Sequence, residues 1–185
     1  MNKLDSDCRA YLDILNKSKI VFLDTETTGL DSSAEVCQIA VIDLDEKVLF
    51  YELIRPFTLI PEEVSKIHGI TDEKVADKNS INYFWGFLCG PKILRGAVIF
   101  GYNVSFDIRL LLQSISKRYP HSGFTIPALA FVDVMEMYRQ YNNISSWMSL
   151  ITACHKEGIE LDIELAHDSK YDAILTCRLF KKVFA

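Results

Sequence analysis

Apolar residues in this chain gather in short runs separated by amphipathic stretches. Ile20-Val21-Phe22-Leu23 and Ala97-Val98-Ile99-Phe100 are short and rich in strand formers, the pattern of buried strands. Between them, the segments 36–44 and 47–55 alternate like two arms of a hairpin turning near Asp45-Glu46. Leu4, Cys8, Tyr11 and Leu15 share one helical face and predict an amphipathic helix over 3–17. Pro61 suits the first turn of a short helix, Gly69 its end, and Thr71 the cap of a second, with mostly helical chain to about Cys89. Ile108, Leu111, Leu112, Ile115 and Tyr119 form a helical stripe that Pro120 closes. Residues 121–130 read as loop, and Phe131 to Tyr141 fits either strand or helix. Trp147, Met148, Ile151 and Cys154 mark a further helix ended by Gly158, and a last helix runs from about Asp168 to the C-terminus. An early antiparallel meander followed by strand and helices predicts an α/β domain.

Composition narrows the setting. A chain of 185 residues with 49% hydrophobic content is expected to form one compact domain over 1–185, with its core at about 18–185. The formal charge of -5 excludes a strongly basic, nucleic-acid-coating protein. No apolar stretch is long enough for a bilayer, and Met1 to Asp7 lacks a secretory core. The expectation is a soluble cytoplasmic protein with no membrane partner. Cys8, Cys37, Cys89, Cys154 and Cys177 form no C-x-x-C pair and suit small buried hydrophobes in a reducing compartment.

Candidate chemistry gathers at the ends of the apolar runs. Asp24 and Glu26 follow Ile20–Leu23, so they are expected at or just past a strand's end, two residues apart and on one face. Like charges held together beside apolar packing are costly unless a cation joins them. Asp107 lies on the ridge of Leu111 and Ile115, and Asp172 on that of Leu175 and Leu179, each in the first turn of its helix. Either acid alone reads as well as a capping or dipole-compensating residue. Together the four supply oxygen ligands for about two Mg²⁺ or Mn²⁺ ions. His167 lies close to the fourth acid, and an imidazole there suits a general base that takes a proton from water.

Three segments in this order resemble the DEDDh-type 3′→5′ exonucleases of the ribonuclease H-like fold, the group containing the epsilon proofreading subunit of bacterial DNA polymerase III. Asp24-Thr25-Glu26-Thr27-Thr28-Gly29 is similar to their first motif, Asn103 to Asp107 to their N-x-x-F-D, and His167 to Ala173 to their H-x-x-x-x-D-A. The likeness spans residues 20 to 180, and three ordered motifs with all four acids are far more specific than a lone D-x-E-T. Ile67-His68-Gly69-Ile70-Thr71 also resembles an element of proofreading members, and Val132-Asp133 the V-D ahead of their penultimate helices. The tyrosine-using sibling class places its base four residues before the last acid, where Asp168 stands here, whereas His167 lies five before. Asp168 departs from the usual small or neutral residue and reads as a helix cap.

The resemblance implies a mixed five-stranded sheet flanked by helices and a metal-dependent 3′→5′ exonuclease releasing nucleoside 5′-monophosphates. It implies Asp24 bridging both metals, Glu26 and Asp172 completing one site, Asp107 reaching the other, and His167 activating the attacking water. Thr27, Thr28, Gly29, Leu30, Asn103, Phe106 and His68 are the implied substrate contacts. Leu30 fits core packing equally well, and Phe106 fits scaffolding around Asp107. Lys117-Arg118 and Lys181-Lys182 fit phosphate contacts or solvated helix ends. The implied partner is nucleic acid with a single-stranded 3′ end, DNA favoured over RNA by the Ile67–Thr71 element. An RNA-trimming oligoribonuclease is the alternative enzyme, and a non-catalytic nucleic-acid-binding scaffold the alternative of another class. Dedicated proofreading subunits often carry a C-terminal docking tail for the polymerase. With none after the last helix here, the expectation is action alone or through the folded surface, with polymerase partnership, oligomeric state and pathway left open.

Overall fold

The computed structural model describes residues 18–184; the helix expected over 3–17, with Cys8, lies outside them. Five strands form one sheet in the order β3-β2-β1-β4-β5. β1 (Lys19–Thr27), β2 (Val36–Asp43) and β3 (Val48–Leu53) make the antiparallel meander. β4 (Ala97–Gly101) and β5 (Ala130–Asp133) continue the sheet in parallel on the other side of β1. β1 is therefore central and has a different kind of neighbour on each side. Phe131–Tyr141, ambiguous in sequence, divides at Asp133: strand before it and helix after it, because the Asp133 carboxylate accepts the N–H groups of Met135 and Glu136.

Alternation along β1 sorts its side chains between two cores. Val21 and Leu23 face α3 (Ile81–Leu88) and α4 (Val104–Arg118), packing with Trp85, Leu110, Leu111 and Ile115. Phe22 faces α5 (Val134–Tyr141), α6 (Leu150–Lys156) and α7 (Ser169–Phe184). There Phe22 lies 5.2 Å from Phe100, which meets Phe180 edge-on at 4.7 Å. A smaller cluster of Cys37, Ile60, Ile70 and Val75 sits under α1 (Glu62–His68) and α2 (Asp72–Val75). Gly69 ends α1 in the left-handed conformation at φ 70°, and Thr71 caps α2, as their sequence signals imply.

Two expectations need correction. Asp24 and Glu26 lie inside β1, because β2 keeps pairing as far as Thr27 through a bulge at Glu26/Thr27. On the β4 side pairing does stop at Phe22, so both acids stand where one neighbouring strand continues and the other has left. Trp147 and Met148 precede α6 rather than opening it, since the Ser149 hydroxyl accepts the Thr152 N–H and starts the helix later. Met148 is nevertheless buried in the second core.

Where β4 leaves, Gly101 comes so close to β1 that a Cβ there would stand 3.0 Å from the Leu23 carbonyl and from Val104. Gly101→Ala is expected to destabilise the domain by about 1–3 kcal/mol, the range for overpacking a close contact. Urea melts of the two proteins measure the difference.

Candidate active site

β1 points Asp24 and Glu26 toward the face covered by α7, whose first turn carries Asp172. His167 sits just ahead of that helix, exposed, with its backbone left-handed at φ 65°. Ligand-capable atoms of Glu26, His167 and Asp172 all lie within 4.8 Å of one another. Asp107 arrives from the opposite face on α4, only 3% exposed, and accepts a 2.8 Å hydrogen bond from the Thr25 hydroxyl. Asp24 stands between these halves: burial raises its pKa well above the usual carboxylate range, and Asp107, Asp172 and Glu26 raise it further.

The other acids feel the same two forces. Burial first, then Asp172 and Asp107, push Glu26 up to about 9. Burial pushes Asp107 up to about 7 against the Thr25 hydrogen bond. Burial raises Asp172 to about 6, opposed by the backbone N–H of His167. None of the ion pairs among the described residues involves these four acids, and buried Asp172 Oδ1 accepts no hydrogen bond. Oxygen-rich, uncompensated by any ion pair and with an orphaned acceptor, the set fits hard divalent cations.

Each helix bearing an acid is set by a strained residue before it. Asn103 caps α4 in the left-handed conformation at φ 65°, with its N–H donated to the Asp133 carboxylate at 3.1 Å. Its side chain reaches only Ser105 among the described residues. Phe106 packs against the first core beneath the Arg109 guanidinium, a scaffolding position. Asp168 caps α7 as expected, its Oδ1 accepting the N–H groups of Lys170 and Tyr171 at 3.1 Å each.

The loop after β1 is held from within and from α4. Thr27 donates to the Gly29 carbonyl at 2.7 Å, and the Thr28 hydroxyl accepts the Glu35 N–H at 3.0 Å. Both threonine side chains are thus committed inside the loop, while Leu30 is 78% exposed and belongs to no core. Arg109, Gln113 and Lys117, one turn apart on α4, donate in order to Leu30 O, to Asp31 O and Ala34 O, and to Ser33 O and the Glu35 carboxylate. Sequence reading missed Arg109 and Gln113, and left Lys117 as a phosphate contact or a solvated helix end. The i, i+4, i+8 spacing was the available signal. Lys181 likewise faces Glu46 at 3.8 Å.

His68 braces the strand end rather than opening to solvent. Its Nδ1 accepts the Ile70 N–H at 3.0 Å, which leaves Nε2 as the donor to Thr27 O at 3.2 Å. Burial lowers its pKa, so it remains a neutral strut.

Residues 21–180 match the RNase_T family model, described as an exonuclease. The chain belongs to the RNase T exonuclease family. It is 30% identical over 172 residues to an uncharacterized exonuclease, CP81, of Escherichia phage 186, covering 86% of this chain and 82% of that one. It is 35% identical over 167 residues to the DNA polymerase III epsilon subunit of Rickettsia typhi, covering 86% and 71%. Among solved structures, Exonuclease X in complex with 5′-overhanging duplex DNA shares the fold at TM-score 0.63 and 21% identity, covering 86% of this chain and 89% of that one. Exonuclease I does so at 0.71 and 22%, covering 90% of this chain and 41% of its own. Membership makes the protein an exonuclease, and its mixed sheet is that of the ribonuclease H-like enzymes. Among the described residues no helix is long and apolar enough to cross a membrane.

Without cations the folded carboxyls retain protons that the unfolded chain, titrating near its ordinary values, has already released. Stability is therefore expected to fall as pH rises from about 4.5 toward about 9, the span of the Glu26 shift. Thermal melts in chelator across that range measure it, and added Mn²⁺ is expected to raise the melting temperature more at pH 8 than at pH 5. A flat metal-free profile would contradict the electrostatics.

Proposed function

We propose that this exonuclease removes nucleotides from the 3′ end of single-stranded DNA as nucleoside 5′-monophosphates, with two Mg²⁺ or Mn²⁺ ions held by Asp24, Glu26, Asp107 and Asp172. The observation that carries the reading is the exposed His167 imidazole beside Glu26 and Asp172, in a carboxylate cluster that takes part in none of the ion pairs among the described residues. Divalent cations held there would make a water easier to deprotonate and offset charge on the scissile phosphate and the leaving 3′ oxygen.

The chain's own residues then have separate tasks. His167 takes the proton from water at an imidazole nitrogen, and the water oxygen forms the new bond to phosphorus as the bond to the 3′ oxygen breaks. Leu30, projecting from a loop braced by α4, packs against the terminal base, and the backbone at Gly29 lies alongside the nucleotide. Such contacts are indifferent to base identity, which suits stepwise removal and a protein of net charge -5. DNA is favoured because epsilon subunits of a DNA polymerase are among the relatives and single-stranded DNA is named in the complex of a structural neighbour.

The test is a 3′-labelled single strand, as matched DNA and RNA, with Mg²⁺ or Mn²⁺. Mononucleotides carrying 5′-phosphate should appear faster from DNA; faster release from RNA reassigns the substrate, and no release under either metal ends the reading. His167→Ala is expected to lower turnover about 10²–10⁴-fold, the usual contribution of a general base, while calorimetry still registers Mn²⁺ binding. Asp24→Asn is expected to weaken that binding itself, because it removes the carboxylate nearest both halves of the centre.

A further inference from the structure

His167 has no local reason to hold its conformation. A left-handed backbone costs an L-residue about 1–2 kcal/mol, so neighbouring structure must impose it. The residues that follow are gripped from the sheet. Gln38 stands directly opposite Glu26 in the β1–β2 ladder and is 6% exposed. Its Oε1 accepts the Ser169 N–H at 2.9 Å, and its Nε2 donates to Asp168 Oδ2 at 3.3 Å and to the Tyr51 hydroxyl at 3.2 Å. Tyr51, one strand further out, donates its own proton to the same Oδ2. Asp168 Oδ1 is occupied by the two N–H groups of the helix cap.

The Asp168 carboxylate thus accepts four hydrogen bonds, about its full capacity. Although near enough to influence Asp24, Glu26 and Asp172, it has no lone pair left for a cation. Gln38 likewise uses both ends of its amide. The strand pair that carries Glu26 therefore also fixes the two residues immediately after His167.

We infer that Gln38, with Tyr51 and Asp168, is a positioning unit for His167: it sets the imidazole against the Glu26–Asp172 carboxylates without touching substrate or cation. The inference rests on the general-base role of His167. Displacing a catalytic group by about 1 Å costs on the order of 10²-fold in rate, so a lost clamp shows in kcat and leaves substrate and cation binding intact.

Gln38→Met keeps the length and removes every hydrogen bond. It is expected to lower kcat about 10- to 100-fold, with KM for a single-stranded oligonucleotide and the calorimetric Mn²⁺ affinity within about twofold. Tyr51→Phe, at a half-buried site, is expected to act in the same direction and more weakly, and it carries the test if Gln38→Met melts at assay temperature. In a His167→Ala background neither substitution should change the residual single-turnover rate by more than about twofold, because the group they position is gone. Equal losses in both backgrounds, or unchanged kcat in both single variants, would overturn the positioning role. Full turnover in His167→Ala would instead remove the general base, and the two failures are told apart by that variant alone.

Discussion

Four carboxylates held close together at the middle of a sheet are the constraint on which this structure turns. At an effective dielectric of about 20, two unit charges 4 Å apart repel by about 4 kcal/mol, and burial adds to the cost. Burial raises the pKa of Asp24, Glu26, Asp107 and Asp172, and for Asp24 and Glu26 the other carboxylates of the set raise it further. β1 tolerates the charges because its remaining side chains are committed to two cores, Val21 and Leu23 on one face and Phe22 on the other. Packing well away from the acids maintains an arrangement that the acids themselves oppose.

The hydrogen-bond donors that support the centre are neutral. Thr25 donates to Asp107, the His167 N–H faces Asp172, and Gln38 spans from the strand pair to the start of α7. A cationic partner would quiet the repulsion and compete with the metal; neutral donors fix geometry and leave the charge available. Four non-glycine residues among those described have positive φ; one, Asn103, immediately precedes the helix that delivers Asp107, and another, His167, stands just ahead of the Asp168 cap of the helix that delivers Asp172. Local strain at these helix entries lets a regular helix aim an acid back across the sheet edge.

Much of this was legible in the chain. Strands alternating with amphipathic helices implied the α/β layers, the four acids at element ends read as oxygen ligands for divalent cations, and the resemblance carried by the three ordered motifs implied an exonuclease. The clamp on the loop after β1 was not legible, since Arg109, Gln113 and Lys117 read as an ordinary solvated helix face until that loop is folded onto them. Gln38 and Tyr51 were equally silent: a glutamine and a tyrosine on neighbouring strands announce nothing, and their partner Asp168 is far off in sequence. The resemblance implied His68 as a substrate contact, and the bracing of Thr27 through its two hydrogen bonds was not legible.

Sequence by itself determined the two periodicities that distribute residues between strands and helices and the family to which the chain belongs, and it nominated the groups proposed to carry the chemistry. Hydrophobic period and residue type are local properties, and they suffice for that. Tertiary structure alone decided that β2 extends past Asp24 and Glu26 while β4 stops short, that Leu30 projects from a braced loop, and that a left-handed His167 is gripped through Gln38. These depend on pairing register and on hydrogen bonds between residues distant along the chain, which no local pattern encodes.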